Sequence, residues 1–344
     1  MASNQTREKN TVVTGTGYWG KNLVRNFFEL GALAGICESD KETRQNFLDT
    51  YQGLTGYASF DEVLDDPTVD NLAIATPAET HFELVSKALK AGKNVFVEKP
   101  LALTFSEGYR LVELSRETGK ILFVGHLLEY HPAVTKLDEL VRNGELGTIQ
   151  YIYSNRLNLG KFRHEENILW SFAPHDISVI LRLLRQMPIE VACYGGSYLQ
   201  PNIADTSVTN MVFENGSRAH IFVSWLHPFK EQKMVVIGSE KMAVFNDVNK
   251  EDKLVLYDQG ADWVDNKPVP RKKDGEPVAF DADEPLKKEC LSFLEDAEQG
   301  RRPVTDGYNG LRVLKVLQAS SHSLQTGGKA VPIYDTYESL NTKL

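Results

Sequence analysis

Through the first third of the chain, short apolar runs alternate with stretches whose apolar residues recur on helical spacing. Thr11-Val12-Val13-Thr14 reads as a strand, and Leu23, Val24, Phe27, Phe28 and Leu30 then line one face of a helix. The same alternation predicts a strand over 34–37, a helix over 41–51, a short strand candidate between 51 and 60, and a buried strand over 71–75 that Thr76-Pro77 stops. A helix over 79–91 ends at Gly92, a natural C-cap, and leads into the apolar run 94–97. After Pro100, Thr104-Phe105-Ser106-Glu107 has the form of a capping box and starts a helix to about residue 118, before one more strand over 121–124. Strand and helix in strict alternation are what a parallel sheet with right-handed crossovers demands.

The pattern changes after Gly125-His126. A helix over 132–142 precedes strand candidates at 148–156, 191–198, 207–213, 218–224 and 233–237, most of them joined by short turns such as Glu214-Asn215-Gly216. An antiparallel or mixed open sheet fits that spacing better than further βαβ units. The Pro-, Asp- and Lys-rich segment 262–285 lacks periodicity and reads as a long surface loop, followed by helices over 286–298 and 310–324 and a last strand over 330–333. The fold class is therefore α/β. A first domain with a parallel sheet spans 1–125, and an α+β domain with an open, mostly antiparallel sheet spans 126–344.

A chain of 344 residues is long enough for two such cores. Its net charge of −9 and pI near 5.5 argue against a nucleic-acid or anionic-membrane surface. Cys37, Cys193 and Cys290 have no metal-ligand spacing and read as reduced, packed thiols, and no metal site is expected. With no apolar run of membrane-spanning length and no signal-peptide core at the polar start, the reading is a cytoplasmic protein.

Gly15-Thr16-Gly17-Tyr18-Trp19-Gly20 lies between the first strand and the first helix, the context a dinucleotide fingerprint requires, and makes 1–125 a Rossmann dinucleotide-binding domain. Gly15 permits the tight turn, Gly17 lets backbone approach a pyrophosphate, and Gly20 allows helix to pack on strand. The second strand ends at Glu38, placed to accept from the adenosine ribose 2′-OH and to repel a 2′-phosphate, which favours NAD over NADP. Lys41 and Arg44 follow, either softening that repulsion or forming the solvated face of their helix. Glu98-Lys99-Pro100 closes the 94–97 strand and puts a lysine at a strand end, where burial can tune it for acid/base work. In Leu169-Trp170-Ser171-Phe172-Ala173-Pro174-His175-Asp176, Pro174 suits a first helical turn, so His175 is expected near a helix N-terminus as a neutral base; a packed or surface histidine is the plain alternative. Asp176 is expected to project away from His175.

Taken in order, G-x-G-x-W-G at Gly15 to Gly20, Ala75-Thr76-Pro77 with His81, Glu98-Lys99-Pro100 and Ala173-Pro174-His175-Asp176 resemble the glucose-fructose oxidoreductase, inositol dehydrogenase and rhizopine catabolism (Gfo/Idh/MocA) family. The likeness runs through Thr305-Asp306-Gly307, Ala319-Ser320 and Val331, nearly to the end of the chain. It implies a nicotinamide cofactor held by Gly15, Gly17, Tyr18, Trp19, Gly20, Glu38, Thr76, Pro77, His81, Glu98 and Lys99, and a second domain whose large sheet binds sugar or cyclitol substrates and forms a homodimer or homotetramer. Lys99 matches the family lysine that orients and helps deprotonate the reacting hydroxyl, and His175 the histidine that completes the acid/base pair. Many members carry an aspartate four residues before that histidine, and Ser171 stands there in this chain. A serine holds no charge, which leaves the proton to His175 and Lys99.

The implied reaction is NAD-dependent hydride transfer from a sugar carbon while Lys99 and His175 handle the hydroxyl proton. Arg156, Lys161 and Arg163, in the segment before the histidine, either meet a substrate phosphate or carboxylate or form an ordinary basic loop. The phosphate reading resembles the nucleotide-sugar 3-dehydrogenase branch, which oxidises UDP-N-acetylglucosaminuronate-like sugars at C3 in surface-polysaccharide biosynthesis. His126, Glu129, Tyr130 and His131 either line the cleft or serve packing. A free-sugar or inositol dehydrogenase, a dinucleotide-binding regulator without turnover and, more distantly, a biliverdin-type reductase are the alternatives.

Overall fold

The computed structural model describes residues 8–160 and 162–334. The described residues divide into two compact units, one made of 8–130 with 283–314, the other of 131–160 and 162–282 with 315–334. The sequence places one break after Gly125. The observed division instead sends a distant segment back to the first unit, and periodicity, being local, carries no sign of such a return.

In the first unit the elements run β1 (Thr11–Thr14), α1 (Gly20–Glu29), β2 (Leu33–Cys37), α2 (Lys41–Thr50), β3 (Thr55–Tyr57), α3 (Phe60–Asp65), β4 (Asn71–Ile74), α4 (His81–Lys90), β5 (Asn94–Glu98), α5 (Phe105–Thr118) and β6 (Leu122–Gly125). The strands are all parallel in the order β3-β2-β1-β4-β5-β6, the doubly wound order with its switch point between β1 and β4. Every residue of β1, β4 and β6 is buried, as strands covered by helices on both faces must be. The expected capping box is present, with the Thr104 hydroxyl accepting from Glu107 N–H and the Glu107 carboxylate from Thr104 N–H.

The second unit contains α6 (Pro132–Arg142), β7 (Ile149–Leu159), α7 (Ile168–Leu184), β8 (Glu190–Gly196), β9 (Thr206–Val212), β10 (Arg218–Ser224), β11 (Leu226–Gly238), β12 (Met242–Asn246), β13 (Leu254–Tyr257), β14 (Gly260–Val264), β15 (Lys267–Arg271) and β16 (Gly275–Pro277). Then come α8 (Pro285–Gln299), which belongs to the first unit, α9 (Gly307–Gln325), and β17 (Val331–Pro332). Nine strands form one sheet in the order β16-β13-β12-β11-β7-β10-β9-β8-β17, with only the β7–β10 pair parallel. On β7 and β10, Ile152, Ser154, Arg156, Ala219, Ile221 and Val223 are buried, while Tyr151, Tyr153, His220 and Phe222 on the opposite face are half-buried.

Two local expectations are corrected. The segment read as a loop over 262–285 holds the hairpin β14–β15, whose turn residues Asp265 and Asn266 both have positive φ (50° and 59°), and also the short strand β16. Such a two-residue turn matches the twist of the flanking strands. Pro174 does not open a helix. Asn167 caps α7 by accepting from Trp170 N–H at 3.2 Å, so Pro174 lies inside α7 and His175 about two turns from its start. The positive end of a helix acts within its first turn, and the argument for a dipole-held neutral imidazole at His175 falls with it.

The first unit's core is aromatic. Phe27 of α1, Phe96 of β5 and Phe123 of β6 each pack against Phe293 of α8, with ring centroids 6.2, 5.7 and 5.6 Å away. Phe96 and Phe123 stack at 5.0 Å. The Arg25 guanidinium of α1 also pairs with Glu284, just before α8, at 3.2 Å. The helix supplied by the far end of the chain is therefore part of the Rossmann core. Phe293→Ala should lower the unfolding free energy by about 3–5 kcal/mol in denaturant titration; a loss within about 0.5 kcal/mol, the size of a surface effect, would contradict the packing of α8.

Candidate active site

The carboxyl end of the parallel sheet gathers the chemistry. Gly15 leaves β1 with φ +84°, its N–H donating to Cys37 C=O at 3.0 Å; a Cβ there would stand 2.9 Å from the Thr76 methyl and 3.0 Å from Thr76 N. At Gly20 a Cβ would lie 1.9 Å from Gly15 C=O. Gly17 faces the other way, with nothing within 4 Å of where its Cβ would be. Two glycines close the turn and the third leaves an open approach to backbone. No side chain caps α1 and its first turn holds no carboxylate. That cradle fits a dinucleotide pyrophosphate by shape and by charge.

Glu38 closes β2. Its carboxylate accepts from the Thr16 hydroxyl at 2.8 Å, Thr16 N–H at 3.2 Å and Asp40 N–H at 3.2 Å. Burial opposes the charge, yet these donors outweigh it and hold the pKa below the usual carboxylate value. Arg44 donates to the carbonyls of Glu38 and Ser39, so its guanidinium is turned to backbone.

After β4, the Thr76 and Thr80 hydroxyls meet at 2.6 Å, and Thr80 also donates to Pro77 C=O at 2.7 Å. His81 is buried, its Nδ1 2.7 Å from Pro100 C=O and its Nε2 3.0 Å from Thr76 C=O. Read from sequence as a cofactor contact, this ring instead fastens the loop after β4 to the loop after β5. Burial, with the Lys99 charge adding to it, lowers its pKa although both carbonyls pull upward.

Glu98 is the last residue of β5 and is buried. Its carboxylate accepts the Trp19 Nε1–H from the fingerprint loop, and Lys99 N–H at 3.3 Å. Burial lifts its pKa to about 7, against the Lys99 charge and the indole bond. Lys99 follows, half-buried, at the mouth of the sheet.

Behind this strand end lies an acid that sequence reading overlooked. Glu289 of α8 is completely buried, and neither carboxyl oxygen has a partner among the described residues. Burial, then the Glu98 charge, pushes its pKa well above the usual value, making it a neutral carboxylic acid. The signal was present, since Leu286, Glu289, Cys290 and Phe293 share the inward stripe of α8. His126, also fully buried, has no partner on either ring nitrogen among the described residues; burial and then Lys99 lower its pKa to about 3. Tyr130 donates to or accepts from the Thr305 hydroxyl at 2.9 Å, and Glu129 is buried beside it in sequence.

In the second unit His175 is half-buried on α7. Asp176 is buried and accepts from the Ser154 hydroxyl at 2.6 Å, Arg156 Nε at 2.7 Å and Arg156 Nη2 at 3.2 Å. The pair is buried and rivets the histidine's helix to β7. Arg156, expected to meet substrate, is thereby bound to Asp176. Arg163 pairs with Glu166 at 2.8 Å, Lys161 lies outside the described residues, and Ser171 is buried. His131 caps α6 through Ala133 N–H at 3.1 Å and reaches Asp247 at 3.3 Å. Among the described residues no group of His, Cys, Asp or Glu is arranged to hold a metal, and no helix is long and apolar enough to cross a membrane.

Glu289 sets a stability trend. Its acid form is favoured when folded and gives up its proton when unfolded above about pH 4.5, so folding takes up a proton and stability falls as pH rises above that value. Glu289→Gln removes that uptake. Its melting temperature should exceed that of the unaltered protein by a margin that grows as pH rises above about 4.5; a margin independent of pH would contradict the raised pKa.

The comparisons agree with this architecture. The family model described as an oxidoreductase family with an NAD-binding Rossmann fold matches residues 9–126, and that of the GFO/IDH/MocA C-terminal domain matches 134–244. A UDP-N-acetylglucosamine 3-dehydrogenase of Acidithiobacillus ferrooxidans is 27% identical over 306 residues, 88% of this chain and 93% of that protein. The scyllo-inositol 2-dehydrogenase (NAD(+)) of Bacillus subtilis is 26% identical over 277 residues, 77% of this chain and 78% of the other. The solved structure of the A. ferrooxidans enzyme aligns with a TM-score of 0.81 at 24% identity, covering 92% of this chain and 98% of that one, a likeness of fold. With both of its domains matched, the chain belongs to the Gfo/Idh/MocA family of oxidoreductases, built on an NAD-binding Rossmann fold.

Proposed function

We propose that this oxidoreductase is an NAD-dependent dehydrogenase of a sugar hydroxyl, with a nucleotide-linked sugar as its substrate class. The observation that carries the reading is Lys99, delivered by β5 to the carboxyl end of the sheet whose switch point holds the glycine cradle. Ligands of open α/β sheets bind there. Preference for NAD rests on Glu38, kept ionised by Thr16 and Asp40 and placed for ribose hydroxyls, while Arg44 is turned to backbone carbonyls. The nucleotide-sugar class is supported by likeness to the UDP-N-acetylglucosamine 3-dehydrogenase over 88% of the chain.

When bound, the nicotinamide ring supplies the hydride acceptor. Gly15, Gly17 and Gly20 with the start of α1 hold the pyrophosphate, and Glu38 the adenosine ribose. Lys99 hydrogen-bonds the reacting hydroxyl and lowers the cost of its deprotonation, and His175 takes the proton; in reverse the two protonate a ketone. Ser171 holds no charge and leaves that work to them. Asp176 and Arg156 serve as struts for the helix of His175, and Arg163 remains the candidate for a substrate phosphate.

Purified protein with NAD, offered UDP- and dTDP-sugars, free hexoses and inositols, should reduce the cofactor on a nucleotide sugar. Lys99→Ala and His175→Asn should each lose about 10²–10⁴-fold in kcat while still binding NAD; undiminished turnover in Lys99→Ala would reject its role. Tight NAD binding without turnover on any sugar would favour a dinucleotide-binding regulator, and turnover on inositol alone a cyclitol dehydrogenase. Glu38→Ser should move the NADP-over-NAD preference at least about tenfold toward NADP, one lost like-charge contact being worth that much or more; an unmoved ratio would remove Glu38 from the adenosine end.

A further inference from the structure

We infer that Glu98 is a positioning residue whose buried carboxylate latches the fingerprint loop, through Trp19, to the backbone of Lys99, so that one negative charge governs both dinucleotide affinity and lysine placement. The inference rests on the reading of the crevice as an NAD site and adds a part that no sequence motif assigns to the glutamate. Trp19 follows β1 and Lys99 follows β5, strands on opposite sides of the switch point, and the two oxygens of Glu98 serve them separately, Oε1 the indole and Oε2 the Lys99 N–H. The carboxyl group cannot swing aside toward β6. A Cβ at Gly125 would already lie 3.1 Å from Glu98 Cδ and Oε2, so that neighbour is a glycine with the carboxyl packed on its backbone.

Glu289 of α8 interacts electrostatically with Glu98 and is without a donor on either oxygen among the described residues. Two carboxyls in one dry environment do not both ionise. The charge goes to Glu98, which has two N–H donors and Lys99 beside it, and the proton to Glu289. Other titratable groups from the packed elements are Cys290 on α8 and His126, Glu129 and Tyr130 after β6. Burial holds Cys290 as a thiol, Tyr130 as a phenol and His126 as a neutral imidazole. None of those three can replace the charge on Glu98.

The latch has a pH signature, because Glu98 titrates near 7. Above that value it accepts two charge-assisted hydrogen bonds; below it, protonation weakens both and frees the loop. Titration of the full-length protein with NAD, by calorimetry at several pH values on each side of 7, tests this. The Kd of the unaltered protein should rise about tenfold as pH falls through that region, the size expected for losing one hydrogen bond to a charged group. Trp19→Phe should show the raised Kd at every pH with a flat profile. Glu98→Gln, which mimics the protonated form, should be equally flat and also lose kcat, since the support of Lys99 is gone. Glu289→Gln should retain the native profile, as a neutral group replaces a neutral group.

A pH dependence that persists unchanged in Trp19→Phe overturns the latch, as does a native profile that is flat. Should Glu98→Gln fail to fold, Trp19→Phe and Glu289→Gln still decide. Absence of NAD binding by the unaltered protein at any pH would remove the cofactor reading and the latch with it, whereas NAD binding indifferent to pH and to Trp19 would remove the latch alone.

Discussion

A buried carboxylate at the end of a parallel strand has lost its water and must find donors in the protein or give up its charge. Glu98 finds two, the indole of Trp19 and the N–H of Lys99. Much of the site follows from that need. The fingerprint loop must bring its tryptophan within reach, β6 must present a glycine at position 125, and the next acid inward, Glu289, must stay neutral. A residue whose motif reads as a cofactor contact thus earns its place by holding two other parts of the crevice in register.

The same region shows why the far end of the chain returns to the first unit. The β-sheet of a doubly wound domain needs helices on both faces, and α8 provides Phe293 against Phe27, Phe96 and Phe123 together with Leu286 and Leu294 in the same core. It also delivers Glu289 behind β5. Packing and electrostatics of the dinucleotide crevice are therefore fixed in part by residues some 190 positions beyond Lys99 in sequence (289 − 99). In the second unit an analogous rivet, Asp176 on Arg156 and Ser154, fixes the helix that carries His175. A buried pair of that kind is costly to break from one side, since the remaining charge is left without a partner.

Most of the first unit was legible because its signals are local. Thr11 to Gly20 states strand, turn and helix in ten residues, and Thr104 to Glu107 states a helix start in four. The second unit's open sheet was legible as a class, its strand order was not, since nothing in the period-2 pattern says that β7 pairs with β10 and β11. Pro174 misled because proline is usual at a helix start and rare within one, and here the cap is Asn167, seven positions upstream. Asp265-Asn266 hid a hairpin because the turn uses no glycine and prolines 268 and 270 demote the returning strand. Arg156 looked like a phosphate ligand because charge is visible in sequence and its partner Asp176, twenty residues away, is not. Glu289 was readable in principle, as an acid on an apolar stripe.

The most direct measurement of the account is a double-mutant cycle between Trp19 and Glu98, read as NAD dissociation constants above pH 7 for Trp19→Phe, Glu98→Gln and the pair together. If the indole and the carboxylate act through each other, the second substitution adds almost nothing to the first, and the double variant binds NAD about as weakly as either single one. Losses that simply multiply would mean that Trp19 and Glu98 serve the dinucleotide independently, and the carboxylate would then not be the joint between the fingerprint loop and the lysine.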